Sequence, residues 1–395
     1  MTETPDGTDA DSAEARSDAS PSNVDSTGAS LSSVEQSDAD RSGAESDGVE
    51  WADVLEMVAA VAPSWSVERI RQSDGGTDEV AFLTVTTPDG LREVVLKAFS
   101  GDGVPAAVAR SEPRVLELLS RETEIPVPEV IGFVDQHPDL PAPFFLAERL
   151  PGEDGSGRFP DLSPAALETV FADAGTHLAA LHERRSFDRF GRVGVEDGDL
   201  AVVGDQFGPR KQWTDWLLAD AEDTLDGLAG GRFDDLVGPL RNYVRDAIPA
   251  LDGPETASLV HWDYRLGNIL VDPETGETTG VLDWADLVAG DPVYNLVTVE
   301  DHNVNWQTRD VVLRERLRGA LLDAYAERRT DGLPTDAERR GGDRSAEFRE
   351  RKRVYHLCNR LNAMACLPDW YADADEAVRE ERAAEHRMFV RSYLE

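Results

Sequence analysis

The sequence predicts an α+β protein of two lobes: a small antiparallel β-sheet lobe with one key helix, and a larger, mainly helical lobe. Its 395 residues are enough for one two-lobed unit. Strand-like runs joined by turn residues lie at 80–99, in the first third of the chain. From residue 164 onwards, most apolar residues instead follow helical spacing.

The first 49 residues differ in composition from the rest of the chain. They are mostly Ser, Asp, Ala, Gly and Glu and contain no aromatic residue. Such a segment cannot bury enough apolar surface to offset the entropy of ordering. We therefore expect a disordered acidic tail over 1–49. The apolar residues from Trp51 to Val61 then follow the spacing of a first helix.

The small lobe is expected to span residues 50–147. Val80–Thr86 and Glu93–Phe99 are predicted as strands, because the Thr-Pro-Asp-Gly segment between them is typical of a turn. Lys97 lies in the second strand. A helix should begin near Pro113, since proline is favoured in the first turn of a helix.

The remaining chain is divided into a hinge at 148–152 and a helical lobe at 153–395. Apolar spacing predicts four long helices in that lobe. Two histidines in the first of them are interpreted as helix-packing residues rather than metal ligands. The predicted helices are Pro164–Glu183, Gln206–Leu225, Val311–Ala326 and Arg353–Leu367, and the two histidines are His177 and His182.

The segment 259–291 carries the strongest functional pattern of the chain. Its two apolar runs, Ile269–Val271 and Gly280–Leu282, flank turn residues and are predicted to form a hairpin. That hairpin would bring Asn268 and Asp283 to one end, close enough to share a cation. A plain hairpin with capping Asp and Asn residues is the alternative. The spacing of the whole set favours a site.

The pattern H-x-D-x-x-x-x-N, followed by a hairpin and Asp, is the arrangement found in kinase-fold phosphotransferases. Here it comprises His261, Asp263, Asn268 and Asp283. Phosphoryl transfer needs a carboxylate near the attacking hydroxyl. It also needs an amide oxygen and a second carboxylate to hold Mg²⁺ against the ATP phosphates. We assign Asp263 as the base, with His261 bracing the catalytic loop, and Asn268 and Asp283 as the metal ligands.

This segment resembles the aminoglycoside phosphotransferase family and its choline and homoserine kinase-like relatives. Their H-G-D motif, D-W pair and G-D-P motif correspond to HWD, DW and GDP in this sequence. Two residues depart from the family pattern. Trp262 replaces the usual small residue and could crowd the substrate side. Asn295 stands where an Asp often follows the G-D-P motif.

The same resemblance implies where a nucleotide would bind. Lys97 matches the lysine of the V-A-I-K strand, which reaches the α and β phosphates of ATP. The resemblance makes Glu112 the partner of Lys97, with Glu117 as the competing candidate. A glycine loop would cover the phosphates and the hinge backbone would bind adenine. The residues implied are Gly75 and Gly76 in the loop, and Glu148 and Leu150 in the hinge.

The predicted function is ATP-dependent phosphorylation of a hydroxyl on a small molecule of the aminoglycoside, amino alcohol, sugar or amino acid class. A protein acceptor is disfavoured, because few residues separate Asp283 from Pro292 and no A-P-E segment follows. The alternative is a non-catalytic, nucleotide-binding pseudokinase scaffold.

The net charge of −39 and the presence of only three lysines predict a halophilic source, since concentrated salt screens self-repulsion. This charge also disfavours nucleic acid as a partner. The basic segment Arg339–Arg353 is interpreted as a solvated helix face, balanced by Glu347 and Glu350.

The absence of a long apolar run and of a signal sequence predicts a soluble cytoplasmic protein. The two cysteines, Cys358 and Cys366, are expected to be buried thiols.

Overall fold

The computed structural model describes residues 51–73, 79–99, 105–184, 186–204, 207–329 and 343–395. The predicted tail at 1–49 lies outside these residues, as do the loop glycines Gly75 and Gly76. The described chain has the predicted α+β architecture of a small sheet lobe and a larger helix-rich lobe. None of its helices is long and apolar enough to cross a bilayer.

The small lobe is built on an antiparallel sheet in the order β1-β2-β3-β5-β4. The predicted hairpin is confirmed: β2 and β3 pair without interruption, from Thr87 opposite Gly90 to Glu79 opposite Ala98. The elements of this lobe are α1 Trp51–Val61, β1 Ser66–Gln72, β2 Glu79–Thr87, β3 Gly90–Ala98, α2 Ala106–Ala109, α3 Ser111–Glu122, β4 Val130–Val134 and β5 Phe144–Glu148.

The two faces of this sheet have different neighbours. Val94 and Leu96 of β3 are buried in a cluster with Val54 and Met57 of α1. Because side chains alternate along a strand, Val95 and Lys97 point to the opposite face. That opposite face is turned toward α3 and the large lobe. Lys97 therefore lies in the cleft between the two lobes.

The large lobe contains helices close to the predicted ones, with two small sheets between them. The sheets have the orders β7-β10-β13-β8-β9 and β12-β11-β6. Except for the β11–β12 hairpin, their strands were not predicted, because runs of two to six residues are too short to show alternation. The elements are β6 Glu153–Asp154, α4 Gly155–Arg158, α5 Pro164–Arg184, β7 Ser186–Phe187, β8 Gly191–Glu196, β9 Asp199–Val202, α6 Trp213–Leu228, α7 Asp234–Ala247, β10 Ala257–Val260, β11 Ile269–Val271, β12 Thr278–Val281, β13 Val288–Gly290, α8 Pro292–Glu300, α9 Val311–Arg328, α10 Asp343–Ala365, α11 Leu367–Trp370 and α12 Glu376–Leu394.

The histidines of α5 pack in the interior, as predicted. His177 bonds to the hydroxyl of Tyr264 through Nδ1 (3.0 Å). His182 bonds to Tyr325 (2.9 Å) and to Asn295 (3.1 Å). Burial lowers the pKa of His182 to about 3, so this ring is neutral in a folded protein near pH 7.

The interpretation of 339–353 as a solvated helix face is wrong for two of its residues. Arg351 contacts the fully buried carboxylate of Asp291 at 3.3 Å. Lys352 pairs with Glu300, another buried carboxylate. Both partners lie on or beside α8, so only the tertiary structure reveals that these cations neutralise buried charge.

Candidate active site

The catalytic loop begins where β10 ends and closes through a 3₁₀ turn over Leu266–Asn268. The Asn268 amide donates to Asp263 Oδ2 (2.8 Å) and to the Asp263 carbonyl (2.9 Å). The Arg265 guanidinium donates to Asp263 Oδ1 (2.8 Å). Two donors therefore fix the orientation of the Asp263 carboxylate, while its side chain remains 40% exposed to the cleft.

The protonation chemistry of Asp263 suits a proton acceptor. Burial raises its pKa and the charge of Asp283 adds to the rise, whereas Arg265 opposes it. A carboxylate with a raised pKa binds a proton more tightly than an ordinary aspartate. The Arg265 charge opposes this rise, because a nearby cation favours the ionised form.

The hairpin β11–β12 returns the chain to the catalytic loop, as predicted. Ile269 pairs with Val281, and the Leu282 N–H donates to the Asn268 carbonyl at 2.8 Å. Asp283 follows with a positive φ of 58°, a conformation that is uncommon for a residue with a side chain. Backbone strain of this kind concentrates at functional sites.

Lys97 joins the small lobe to this loop. Its ammonium lies 2.8 Å from Glu112 Oε2 and 2.9 Å from Asp283 Oδ1. The predicted Lys97–Glu112 pair is therefore present, and the competing candidate Glu117 instead pairs with Arg121 (3.0 Å). Burial by itself would raise the pKa of Asp283, but Lys97, together with His261 and Arg265, outweighs that effect and lowers it.

The residues assigned to a metal have the donor atoms that Mg²⁺ prefers. The Oδ1 atom of Asn268 is buried and has no hydrogen-bond partner, although its amide nitrogen is engaged. A buried oxygen without a partner is costly unless a ligand satisfies it. Asp283 offers an ionised carboxylate nearby. In the described ranges, no group of three His, Cys, Asp or Glu side chains is placed to hold a metal ion.

His261 lies behind the reacting face rather than on it. Its side chain is buried, packs against Trp284 with the ring centroids 4.5 Å apart and the rings tilted by 44°, and bonds through Nε2 to the Leu282 carbonyl at 3.3 Å. The Asn295 side chain makes two hydrogen bonds to the backbone of His261. Its Oδ1 accepts from the His261 N–H (3.0 Å), and its Nδ2 donates to the His261 carbonyl (2.8 Å). An amide can make both of these bonds whereas a carboxylate cannot, so Asn295 fits this position.

A small apolar pocket of about 60 Å³ lies beneath the sheet. Val80, Phe82 and Val95 form a separate apolar cluster on its small-lobe side. Glu148 and Leu150, the residues expected to bind adenine through their backbone, line it at the end of β5. The Glu148 N–H already donates to the Glu129 carbonyl (2.9 Å), so this N–H is not open to a ligand.

A larger cleft of about 510 Å³ opens beside Asp263 and Asp283. Trp262 lines it without filling it. The Trp262 ring packs against Trp216 at 6.3 Å and lies under the Arg192 guanidinium at 5.2 Å. Arg192 also pairs with Asp286, which follows Asp283 by three residues and shares its positive φ.

The sequence interpretation missed two functional candidates, Arg265 and Arg192. Arg265 follows Asp263 by two residues, so its position in the motif was a usable signal. Arg192 comes from β8, about 70 residues earlier in the chain, and only the sheet β13–β8 brings it to the site. No local pattern around Arg192 could have indicated this.

Comparison with known proteins agrees with this geometry. A model of the phosphotransferase enzyme family (APH) matches residues 69–341. Acyl-CoA dehydrogenase family member 10 of Mus musculus is 28% identical over 213 residues, which cover 51% of this chain and 17% of that protein. Hygromycin-B 4-O-kinase of Escherichia coli is 26% identical over 188 residues, 44% of this chain and 47% of the kinase. This chain therefore matches less than half the length of either relative.

The fold is also that of solved members of this group. The structure of the GDP and kanamycin complex of APH(2'')-IIIa superposes with a TM-score of 0.53 at 11% identity. The match covers 84% of this chain and 98% of that one. Since the family model spans well over half of the sequence and includes the whole catalytic segment, this chain belongs to the phosphotransferase enzyme family.

Proposed function

We propose that this protein transfers the γ-phosphoryl group of ATP to a hydroxyl of a small molecule. The observation that carries the proposal is the position of Lys97. It bridges Glu112 and Asp283 at a point where Asp263 and Asn268 also meet. A cation, two metal-binding oxygens and a base within one cleft form the set that phosphoryl transfer requires.

In the proposed reaction, the acceptor hydroxyl oxygen forms a bond to the γ-phosphorus. The bond from that phosphorus to the bridging oxygen of ADP breaks, and the hydroxyl proton passes to Asp263. Lys97, which lines the cleft, would face the negative charge of the phosphates, and Arg265 orients Asp263. Asn268 Oδ1 and Asp283 would hold Mg²⁺, which neutralises phosphate charge. Most of the rate enhancement comes from positioning and electrostatics.

The nucleotide would enter between the lobes. We propose 50–147 as the nucleotide-binding lobe, 148–152 as the hinge and 153–395 as the substrate lobe. The adenine would lie in the small pocket and bond to the Glu148 carbonyl and the Leu150 N–H. Gly75 and Gly76 are proposed to cover the phosphates. His261 acts as a positioning residue, because it contacts the loop and not the cleft.

The pseudokinase alternative finds no support in the geometry. Trp262, which could have crowded the substrate side, lines the cleft and leaves about 510 Å³ open. The ion pair between Lys97 and Asp283 is formed rather than broken. The APH(2'')-IIIa structure, which contains GDP and kanamycin, supports the assignment of a nucleotide beside a small-molecule acceptor.

The first experiment is a calorimetric titration of Mg-ATP in molar potassium chloride. Wild type should bind, and Asp283→Ala should weaken binding, because a phosphate-bound cation loses a ligand. Asp263→Ala should retain nucleotide affinity and lose about 10²- to 10⁴-fold in the rate of ADP release with an acceptor. Absence of binding by a folded wild type would refute the proposal, and normal turnover by Asp263→Ala would refute the assignment of the base.

A further inference from the structure

The described carboxylates that line the cleft beside Asp263 are already paired, although the whole chain carries −39. Besides Glu112, Asp263 and Asp283, they are Asp135, Asp220 and Asp286. Asp135 accepts two hydrogen bonds from Arg114 (3.0 and 2.6 Å), and Asp286 pairs with Arg192. Asp220 is buried and has a partner of its own. An incoming ammonium group would therefore have to share each of these carboxylates with an existing partner.

The indole next to the base is already covered by a cation. Trp262 is the indole nearest the base in sequence, and an indole face attracts ammonium groups. The Arg192 guanidinium already lies over that ring at 5.2 Å from its centroid. An ammonium at this face would meet a positive charge instead of an open π-surface.

Two described side chains of the cleft wall have hydrogen-bonding atoms left for a ligand. Thr224 donates to Asn362 Oδ1 (2.9 Å), which fixes the amide and leaves its Nδ2 as the donor on the cleft wall. His302 lines the same cleft, and its Nδ1 is buried without a partner. Burial lowers the pKa of His302 to about 4, so the ring is neutral near pH 7 and carries one N–H.

We infer that the acceptor presents oxygen atoms around the reacting hydroxyl and carries no ammonium group. The Asn362 amide donor satisfies hydroxyl, carbonyl or carboxylate oxygens, whereas an ammonium can only donate. A hydroxyl also suits the neutral His302 ring, because it can both donate and accept. Two sources share this chemistry: a neutral polyol or sugar, and a hydroxy acid. The inference rests on the proposed function and distinguishes this cleft from one that binds a polycationic aminoglycoside.

The first test compares acceptors that differ by one substitution of hydroxyl for amine. The pairs are glucose and glucosamine, glycerol and serinol, and glycerate and serine, each assayed by ADP release and phosphorus NMR. The hydroxyl member should have the higher kcat/KM by about tenfold or more, because it leaves no donor unpaired and displaces no arginine. Turnover of glucose or glycerol indicates a neutral acceptor, and turnover of glycerate a hydroxy acid. Preference for the amine members would overturn the inference.

A binding test decides the question when no compound of the panel turns over. Kanamycin is titrated into the complex with a non-hydrolysable ATP analogue, at one fixed salt concentration. Wild type should show no saturable binding. Arg192→Gln exposes the Asp286 carboxylate and should bind kanamycin about tenfold more tightly. Tight kanamycin binding by wild type that Arg192→Gln does not change would overturn the inference. Nucleotide binding in the same titrations reports separately on the proposed function.

Asn362 offers a matched pair of variants for the donor wall. Asn362→Asp keeps the acceptor that Thr224 contacts and converts the free donor into a negative oxygen. It should shift the preference within each pair toward the amine member by about tenfold. Asn362→Ala should raise KM for the hydroxyl member with kcat nearly unchanged and no shift toward the amine. An unchanged preference in Asn362→Asp would remove Asn362 from the recognition site.

Discussion

Lys97 is the residue whose removal should perturb this site most clearly, because it neutralises two carboxylates at once. Its ammonium lies 2.8 Å from Glu112 and 2.9 Å from Asp283, and the Lys97 side chain is 14% exposed. Lys97→Met keeps the volume of the side chain and deletes the charge. The variant leaves Glu112 and Asp283 in one partly buried site without a cation.

The expected loss of stability is about 3 kcal/mol at pH 7.5. Removing one partner of a buried ion pair costs about 3–5 kcal/mol, because the other charge is left uncompensated. We take the lower end because the Asp283 side chain is 28% exposed and can be hydrated. A loss of this size changes the unfolding equilibrium about a hundredfold.

The effect should depend on pH with a defined sign. In wild type the folded pKa of Asp283 lies below its ordinary value, so its contribution to stability is present at neutral pH and lost as pH falls through that folded pKa. Without Lys97, burial raises the folded pKa above the unfolded one. The loss of stability in Lys97→Met then grows as the pH rises above the unfolded pKa of Asp283. At lower pH, protonation of Asp283 reduces this loss.

The assay is urea-induced unfolding in concentrated potassium chloride without nucleotide, at pH 7.5 and at pH 5. Glu112→Gln is the matched control, since it keeps the Lys97–Asp283 pair and should lose only about 1 kcal/mol. The variant that combines Lys97→Met and Glu112→Gln should lose less stability than the two single losses added together, because the two substitutions remove groups that interact. A loss below about 1 kcal/mol in Lys97→Met, or an equal loss at both pH values, would refute this reasoning.

Three further outcomes follow from the described structure. Asp291→Ala should destabilise the protein by about 3 kcal/mol in thermal unfolding. The substitution removes the cap on the Val293 N–H (2.8 Å), the hydrogen bond from the Tyr355 hydroxyl (2.6 Å) and the ion-pair partner of Arg351. A loss below about 1 kcal/mol, which is typical of an exposed cap, would contradict this. With a thiol reagent at pH 8, Cys358 should stay unmodified in the native protein, because burial raises the pKa of its thiol. Half-buried Cys366 lines the cleft, so it should react slowly and be protected by bound acceptor. Peptide mapping that finds Cys358 modified first would contradict this. The unfolding temperature should rise between dilute and molar potassium chloride because salt screens the charge of −39, and equal stability in dilute buffer would count against a halophilic origin.

The sequence by itself determined most of the small lobe and the identity of the chemical groups. The strands around the turn at 87–90 and the hairpin after Asn268 were predictable, because local turn residues and alternation specify them. The spacing of Asp263, Asn268 and Asp283 indicated phosphoryl-transfer chemistry for the same reason. These residues lie close in the chain, so their relative geometry is largely local.

The tertiary structure decided everything that depends on contacts between distant segments. It brought Arg192 from β8 over Trp262, and it turned Arg351 and Lys352 inward onto buried carboxylates of α8. It also paired the described carboxylates Asp135 and Asp286 of the cleft with arginines, so the net charge of the whole chain does not predict the charge inside the cleft. The apolar periodicity of a sequence shows which face of an element is buried, but not which cation will lie opposite which carboxylate. The pairing of distant charges is therefore set by packing.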